Sequence, residues 1–533
     1  MWRSLKQPTS ALAALFVIGM AACVDLNVVN PDDPDTGRVI RTAGDVESLV
    51  SGAYSRWIRV LWYDGPTMMM SNASGEHVAP WANAGMEHYA RIPRVPTSNA
   101  AGAADVGNLT YAWYQAYGAL ASLHDGLQAI ADSGNAFLGT NRTTRARAYG
   151  KFMQGLAHAT VAAIYDSGFV YDESVRVPSG ADPLSLVPLR PSHEVMDSAL
   201  SYFAQAIAIA ATDTFTIPTS WMSQNVSRDQ LVQLAHSEAA RFRAAAARTP
   251  AERAAVDWTK VVADAQAGVT ADWNNVSNCN LGTFCDDALQ YRLAPGWQMQ
   301  NNWVAGMADT SGHYQAWIAT PTANKQPFLI FTPDTRWPQG ATETIQYNAP
   351  GAYYSLNLGS DGTRIWNRPD RGTWRWSYYY ITKEPFYTTH GINGEGATPL
   401  VTVRQMKSLI AEAAYRGGNL GAVATFVNET RTLHGLNATD AGGTNTSCVP
   451  KLPNGNCGDL WEMFKWETRL ETQFAGTLRS GWWLDGRGWG DLMLGTLLQF
   501  PVPYKDIQLL KLAPYDFGGV GGISAAPTGT YGY

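Results

Sequence analysis

Helical periodicity constrains this chain more than any other feature. From residue 42 to 268, apolar side chains recur every three or four positions in segments of about 20 residues, the spacing that lines one stripe of an α-helix. Thr42 to Tyr63 carries Asp45 near its start, then Leu49, Ala53, Trp57 and Val60. Residues 110–133 align Tyr114, Tyr117, Leu120, Leu123 and Leu127. Residues 144–165 align Phe152, Leu156, Ala159, Ala163 and Ile164. Residues 192–211 begin with Ser192 and Glu194 behind Pro191, a helix-start pattern, and continue through Met196, Leu200, Phe203, Ile207 and Ala210. Two further segments, 228–247 and 251–268, are separated at Thr249-Pro250.

The segments come in pairs, and small residues such as Ala244 to Ala247 let neighbours approach closely. This predicts a mainly α fold, with a tetratricopeptide-like helical-pair scaffold over 41–270 in which each pair buries its face against the next. About 510 residues would usually divide into several domains, yet no low-complexity linker interrupts the chain, as stacked repeats allow. Over 271–400 the periodicity fades. Gly, Pro, Asn and Thr rise and aromatics crowd in, among them Trp297, Trp303, Tyr314, Trp317, Trp337, Tyr353, Tyr354, Trp366, Trp374, Trp376 and Tyr378 to Tyr380. We expect a loop-rich, irregular, ligand-binding region there with few short strands. Helices return at 401–416, 419–433 and 459–478, so 401–533 reads as C-terminal helices and a closing segment of the same body. Its end, from Pro514 to Tyr533, is Gly-rich and reads as irregular.

The first residues read as an export signal. Arg3 and Lys6 precede an uncharged run from Ala11 to Ala22. It is too short for a membrane-spanning helix, which needs about 20 residues. Met20-Ala21-Ala22-Cys23 fits a bacterial lipoprotein cleavage box, with Met where Leu is usual. Residues 1–22 are then the signal peptide, Cys23 the lipidated mature start, and 23–40, with Pro31, Asp32, Asp33 and Pro34, a tether. Cleavage lowers the basic count from 39 to 37 against 45 acids, taking the net charge from −6 to −8. That acidity, without a clustered basic stripe, argues against nucleic acid as a partner. Outside the cytoplasm, Cys279, Cys285, Cys448 and Cys457 read as two local disulfides clipping polar loops. Zinc is the rival reading, but separations of six and nine residues do not suit its usual ligand pairs.

The order of these pieces resembles the SusD/RagB family of outer-membrane nutrient-binding lipoproteins across nearly the whole mature chain. After the cysteine come Asp25-Leu26-Asn27 and the tether, then Ala43-Gly44-Asp45-Val46-Glu47-Ser48-Leu49 leading to Gly52-Ala53-Tyr54. Tyr114-Gln115-Ala116-Tyr117, Arg147-Ala148-Tyr149, Val187-Pro188-Leu189 and Ala239-Ala240-Arg241-Phe242 follow in the family's order. Trp466-Glu467-Thr468-Arg469-Leu470-Glu471, Arg487-Gly488-Trp489-Gly490-Asp491 and Pro501-Val502-Pro503 are similar to its closing motifs. His124-Asp125 stands where the family usually has Ala-Asn. The usual Glu-Gly-x-Arg survives only as Ala475-Gly476-Thr477-Leu478-Arg479, which marks a divergent relative. The resemblance implies a lipid-anchored protein on the outer face of the outer membrane. Such a protein needs no cofactor, carries out no catalysis, and delivers an oligosaccharide or other nutrient polymer to a TonB-dependent outer-membrane barrel.

Sugar rings have apolar C–H faces that flat aromatic side chains cover, with polar groups holding the hydroxyls. Trp81, Trp303, Tyr314, Trp317 and Trp337 lie in loop-like sequence and are the candidate contacts. Trp57, Trp113, Trp258 and Trp461 fall at helical core spacing and read as packing, as do Trp466, Trp482, Trp483 and Trp489. Glu467 and Glu471 share a helical face and would suit paired-carboxylate catalysis, but the resemblance implies structural ion pairing with Arg469. No H-E-x-x-H, G-x-S-x-G or phosphate-loop pattern occurs in a fitting context. A calcium site at Asp286 and Asp287 is the remaining metal reading. The alternatives to nutrient capture are an exported glycoside hydrolase and an envelope scaffold that binds no ligand.

Overall fold

The computed structural model describes residues 42–531 except 63, 105, 135–137, 177, 179–185, 360–365 and 384–394. Cys23 and the expected signal peptide and tether lie outside the described residues. Among those residues no helix is long and apolar enough to cross a membrane.

Local sequence starts the helices. Thr42 accepts the Asp45 amide while Asp45 accepts the Thr42 amide, a capping box opening helix Ala43–Trp57. Ser227 with Gln230 and Thr402 with Gln405 do the same for Arg228–Ala245 and Val403–Arg416. Helices Thr110–Asp132, Thr140–Ile164 and Ser192–Ala210 complete the first part. Each packs on its successor, through Trp258–Gln266 to Val403–Arg416, Leu420–Arg431 and Leu460–Glu471. The result is a helical stack of tetratricopeptide-like type with few short strands.

Close approach needs small residues at the crossings. A Cβ on Gly155 would lie 2.7 Å from the Phe203 ring and 3.1 Å from the Ala199 carbonyl oxygen. Helix 140–164 is buried almost all round from Ala146 onward, not along one stripe, because it lies between neighbours on several sides.

The irregular region leaves the stack after helix 258–266 and returns at helix 403–416, and those two helices pack directly together. Strand Trp273–Ser277 pairs antiparallel with Gly396–Val401 and closes the neck. Beyond it the chain forms one ladder of its own, Tyr354–Leu356 with Tyr379–Ile381, a strand Met299–Gln300 that pairs back to His77–Val78, and short helices such as Asn302–Ala308, His313–Ala319 and Glu343–Asn348. A second apolar core lies here, where Trp303, Tyr314, Trp317, Trp337, Tyr354 and Tyr379 meet Trp466, Leu470 and Trp482.

The Arg487–Asp491 motif proves to be a clamp. Arg487 donates to the carbonyls of Ala163, Ala245 and Leu498 at 3.1, 2.9 and 2.8 Å. The first two are C-terminal carbonyls of helices 140–164 and 228–245, which a cation satisfies. Asp491 takes Lys465 at 2.9 Å and Arg469 at 2.7 Å, so the motif ties the closing segment to helix 460–471. Cys279 is bonded to Cys285 and Cys448 to Cys457. Asp287 approaches the first pair, but sulfurs joined to each other are not thiolate ligands for zinc.

Candidate ligand-binding surface

A group of partly exposed aromatic side chains forms where two distant segments pair. Strand His77–Val78 runs antiparallel to Met299–Gln300, with Val78 opposite Met299. That register brings Trp81, just past one strand, to Trp297, just before the other. Their rings sit 6.2 Å apart, and Trp81 Nε1 donates to the Gly296 carbonyl at 3.0 Å. Trp366 meets Trp81 edge-on at 4.4 Å and Trp376 at 5.9 Å. Tyr291 meets Trp297 edge-on at 5.2 Å.

Met68, Ala79, Ala84 and Met86 are buried beneath Trp81, Tyr291 and Trp297, so the rings have an apolar floor. A left-handed turn at Ala84 and Gly85 (φ 52° and 68°) folds the chain back after Trp81. The Glu87 amide then donates to the Trp81 carbonyl at 2.7 Å. Glu87 also lies 3.6 Å from Arg371, which places a half-exposed ion pair beside the rings. Fixed rings edged by polar groups offer an amphipathic ledge, dry on the ring faces and wet at the rim.

The structure corrects four of the five candidate residues. Trp81 is half-buried on the ledge, but Trp303, Tyr314, Trp317 and Trp337 are core. Trp303 donates Nε1 to the Gly75 carbonyl at 2.6 Å and stacks on Tyr531 at 4.9 Å. Tyr314 lies between Trp317 and Phe328 at 6.0 and 6.1 Å. Trp317 carries the Lys325 ammonium 4.3 Å above its ring. Trp337 stacks on Tyr354 at 3.8 Å. A region poor in regular structure still needs a core, and large rings supply the area. Short helical spacing was the available signal, since Tyr314 and Trp317 are three apart on one helix. Trp297, Trp366 and Tyr291 were missed; the strand register brings Trp297, with Tyr291 against it, to Trp81, and Trp366 reaches Trp81 from a separate segment. The helical tryptophans expected to pack do so: Trp57, Trp113, Trp466, Trp482, Trp483 and Trp489 are buried, while Trp258 and Trp461 are partly so.

The paired carboxylates are ion-paired. Glu467, fully buried, takes Arg336 at 2.8 and 3.0 Å and the Thr430 hydroxyl at 2.8 Å. Glu471 takes Arg336 at 3.1 Å and the Tyr353 hydroxyl at 2.6 Å. Burial pushes the Glu471 carboxyl up, but nearby Lys383 and Arg336 outweigh that and hold it below its ordinary value. Arg469 bonds Asp491 and Tyr531 instead of either Glu. Asp286 is engaged by Arg479 at 2.6 and 3.0 Å.

No family model matches the sequence, and no curated protein matches it. Solved structures do match its shape. A SusD homolog from Parabacteroides distasonis ATCC 8503 superposes with a TM-score of 0.53 at 12% identity, over 91% of this chain and 98% of its own. A SusD-like carbohydrate binding protein from Bacteroides vulgatus ATCC 8482 gives 0.51 at 12%, over 92% and 93%. A SusD superfamily protein from the same organism gives 0.51 at 12%, over 84% and 88%. The helical stack with its looped, aromatic-rich insert is thus an architecture shared with solved SusD-type proteins. The chain has the SusD-like fold.

Proposed function

We propose that this chain is a divergent SusD/RagB-type lipoprotein that captures a nutrient at the cell surface, an oligosaccharide in this reading, and passes it to a TonB-dependent outer-membrane transporter without chemistry of its own. The observation that carries the reading is the ledge of Trp81, Trp297, Trp366 and Tyr291, whose ring faces match the C–H faces of sugars. The SusD-like fold, one solved example of which is described as carbohydrate binding, supports it. Lipidation at Cys23 would hold the body at the membrane.

Calorimetric titration with neutral oligosaccharides of several linkages tests the reading. We expect saturable binding by at least one, weakened about tenfold or more by Trp297→Ala and by Trp81→Ala. Binding unchanged in both variants would remove the ledge as the site, and release of shorter sugars would make the protein a hydrolase. Metabolic labelling with palmitate, lost in Cys23→Ala, tests the anchor. Co-purification of a barrel protein from the native membrane tests the transporter.

A further inference from the structure

Away from the ledge, the stack itself holds a cavity of about 190 Å³ between helices 110–132 and 140–164. Leu127, Ile130 and Ala131 line one side. Arg147 and Lys151 line the other, and Glu173 closes it. A space of about 150 Å³ is enough for benzene, so a molecule with one ring fits.

The charged wall is fixed. Lys151 is only 9% exposed. Its Nζ lies 2.7 Å from Glu173 Oε1 and 4.9 Å above the Tyr202 ring. The other Glu173 oxygen accepts from Gln154 Nε2 at 2.8 Å. Lys151 and Glu173 therefore neutralise each other. Arg147 stands one turn before Lys151 on the same helical face, at the solvent edge, and has no ion-pair partner among the described residues. Among the described residues the cavity thus carries one uncompensated positive charge, beside the buried Leu127 and Ile130.

We propose that this cavity is a second binding site, for a small organic monoanion with an apolar body. Its carboxylate pairs with the Arg147 guanidinium, whose planar fork suits two-point contact. Its ring or short hydrocarbon chain lies against Leu127 and Ile130. A cation is repelled by the uncompensated Arg147. A dianion is disfavoured because its second charge would meet no further uncompensated cation. The site stands independently of what the aromatic ledge binds.

Calorimetry on the purified full chain tests this with benzoate, hexanoate and the uncharged benzyl alcohol. We expect saturable one-to-one binding of benzoate or hexanoate, with benzyl alcohol about tenfold weaker or more. Arg147→Ala should remove that preference for the anion. Ala131→Trp, at an exposed position on the cavity rim, should block binding while leaving the circular dichroism and melting temperature of the folded chain in place. No saturable binding of either acid up to about 5 mM, equal binding of benzyl alcohol and benzoate, or undiminished binding in Ala131→Trp would each overturn the proposal.

Discussion

Arg336 and Glu467 lie 131 residues apart in the chain and meet in the interior as a two-point ion pair, Nη1 to Oε2 at 2.8 Å and Nη2 to Oε1 at 3.0 Å. Asp334 takes the same guanidinium at 2.8 Å, and neither Arg336 nor Glu467 has exposed side-chain surface. Arg336 thus joins the irregular region to helix 460–471. Removing it leaves carboxylates buried without their counter-charge, a loss of about 3–5 kcal/mol. Arg336→Met should show that loss in urea unfolding. A variant as stable as the parent would mean that the cluster holds nothing together.

Two glycine substitutions should act in opposite directions. Gly52, exposed on helix 43–57, has open space around its missing Cβ, so Gly52→Ala should stabilise by about 0.5–1 kcal/mol through helix propensity. Gly155→Ala meets the Phe203 ring and the Ala199 carbonyl on the neighbouring helix. It should destabilise by about 1–3 kcal/mol despite the same propensity gain. Thermal melts of both variants check the pair. A stabilising Gly155→Ala would show that those two helices have slack.

Burial pushes the Glu238 carboxyl up to about 7 from an ordinary 4.5, although it accepts a hydrogen bond from the Thr477 hydroxyl. Between those values the folded chain binds more protons than the unfolded one, so this group lowers stability as pH rises through that window. Above it the cost is complete, about 3 kcal/mol at 1.36 kcal/mol per unit. Glu238→Gln keeps an acceptor for Thr477 and removes the charge. The variant should exceed the parent in melting temperature near pH 8, and the gap should shrink toward about pH 4. A gap independent of pH would rule out ionisation as the cause.

The tryptophans of core and ledge should separate cleanly on mutation. Trp337→Ala removes a fully buried ring from its stack on Tyr354, and should cost about 3–5 kcal/mol. Trp297→Ala removes a half-buried ring at the surface, so its effect should fall mainly on ligand binding. Denaturation of both variants, read by circular dichroism, checks this. Equal destabilisation would make Trp297 a core residue.

The helices were legible in sequence where periodicity was strong. Thr110–Asp132 and Ser192–Ala210 match the expected 110–133 and 192–211 to within one residue at each end. The expected helix at 251–268 is broken in two, because Asp257 accepts the Lys260 amide and starts a new helix at Trp258. The segment 459–478 stops as a helix at Glu471, ahead of left-handed Phe474 and Gly476. Helix Gly481–Trp489 was not anticipated, since its three glycines weaken local propensity. It is held by long-range contacts: Asp485 takes Arg241 at 2.7 Å and Arg253 at 3.2 Å.

Sequence by itself determined the run of helices and their end-to-end order, because capping and apolar spacing act over a turn or two of chain. It also pointed to the two close cysteine pairs, whose partners lie within the same loops. Only the tertiary structure decided which aromatic rings face solvent. Exposure depends on what arrives from elsewhere: Trp303 is sealed by Gly75, 228 residues away, and Trp81 meets Trp297 through a strand register set by Val78 and Met299. Spacing along the chain carries no record of those meetings, so the ledge emerged only when the distant segments were brought together.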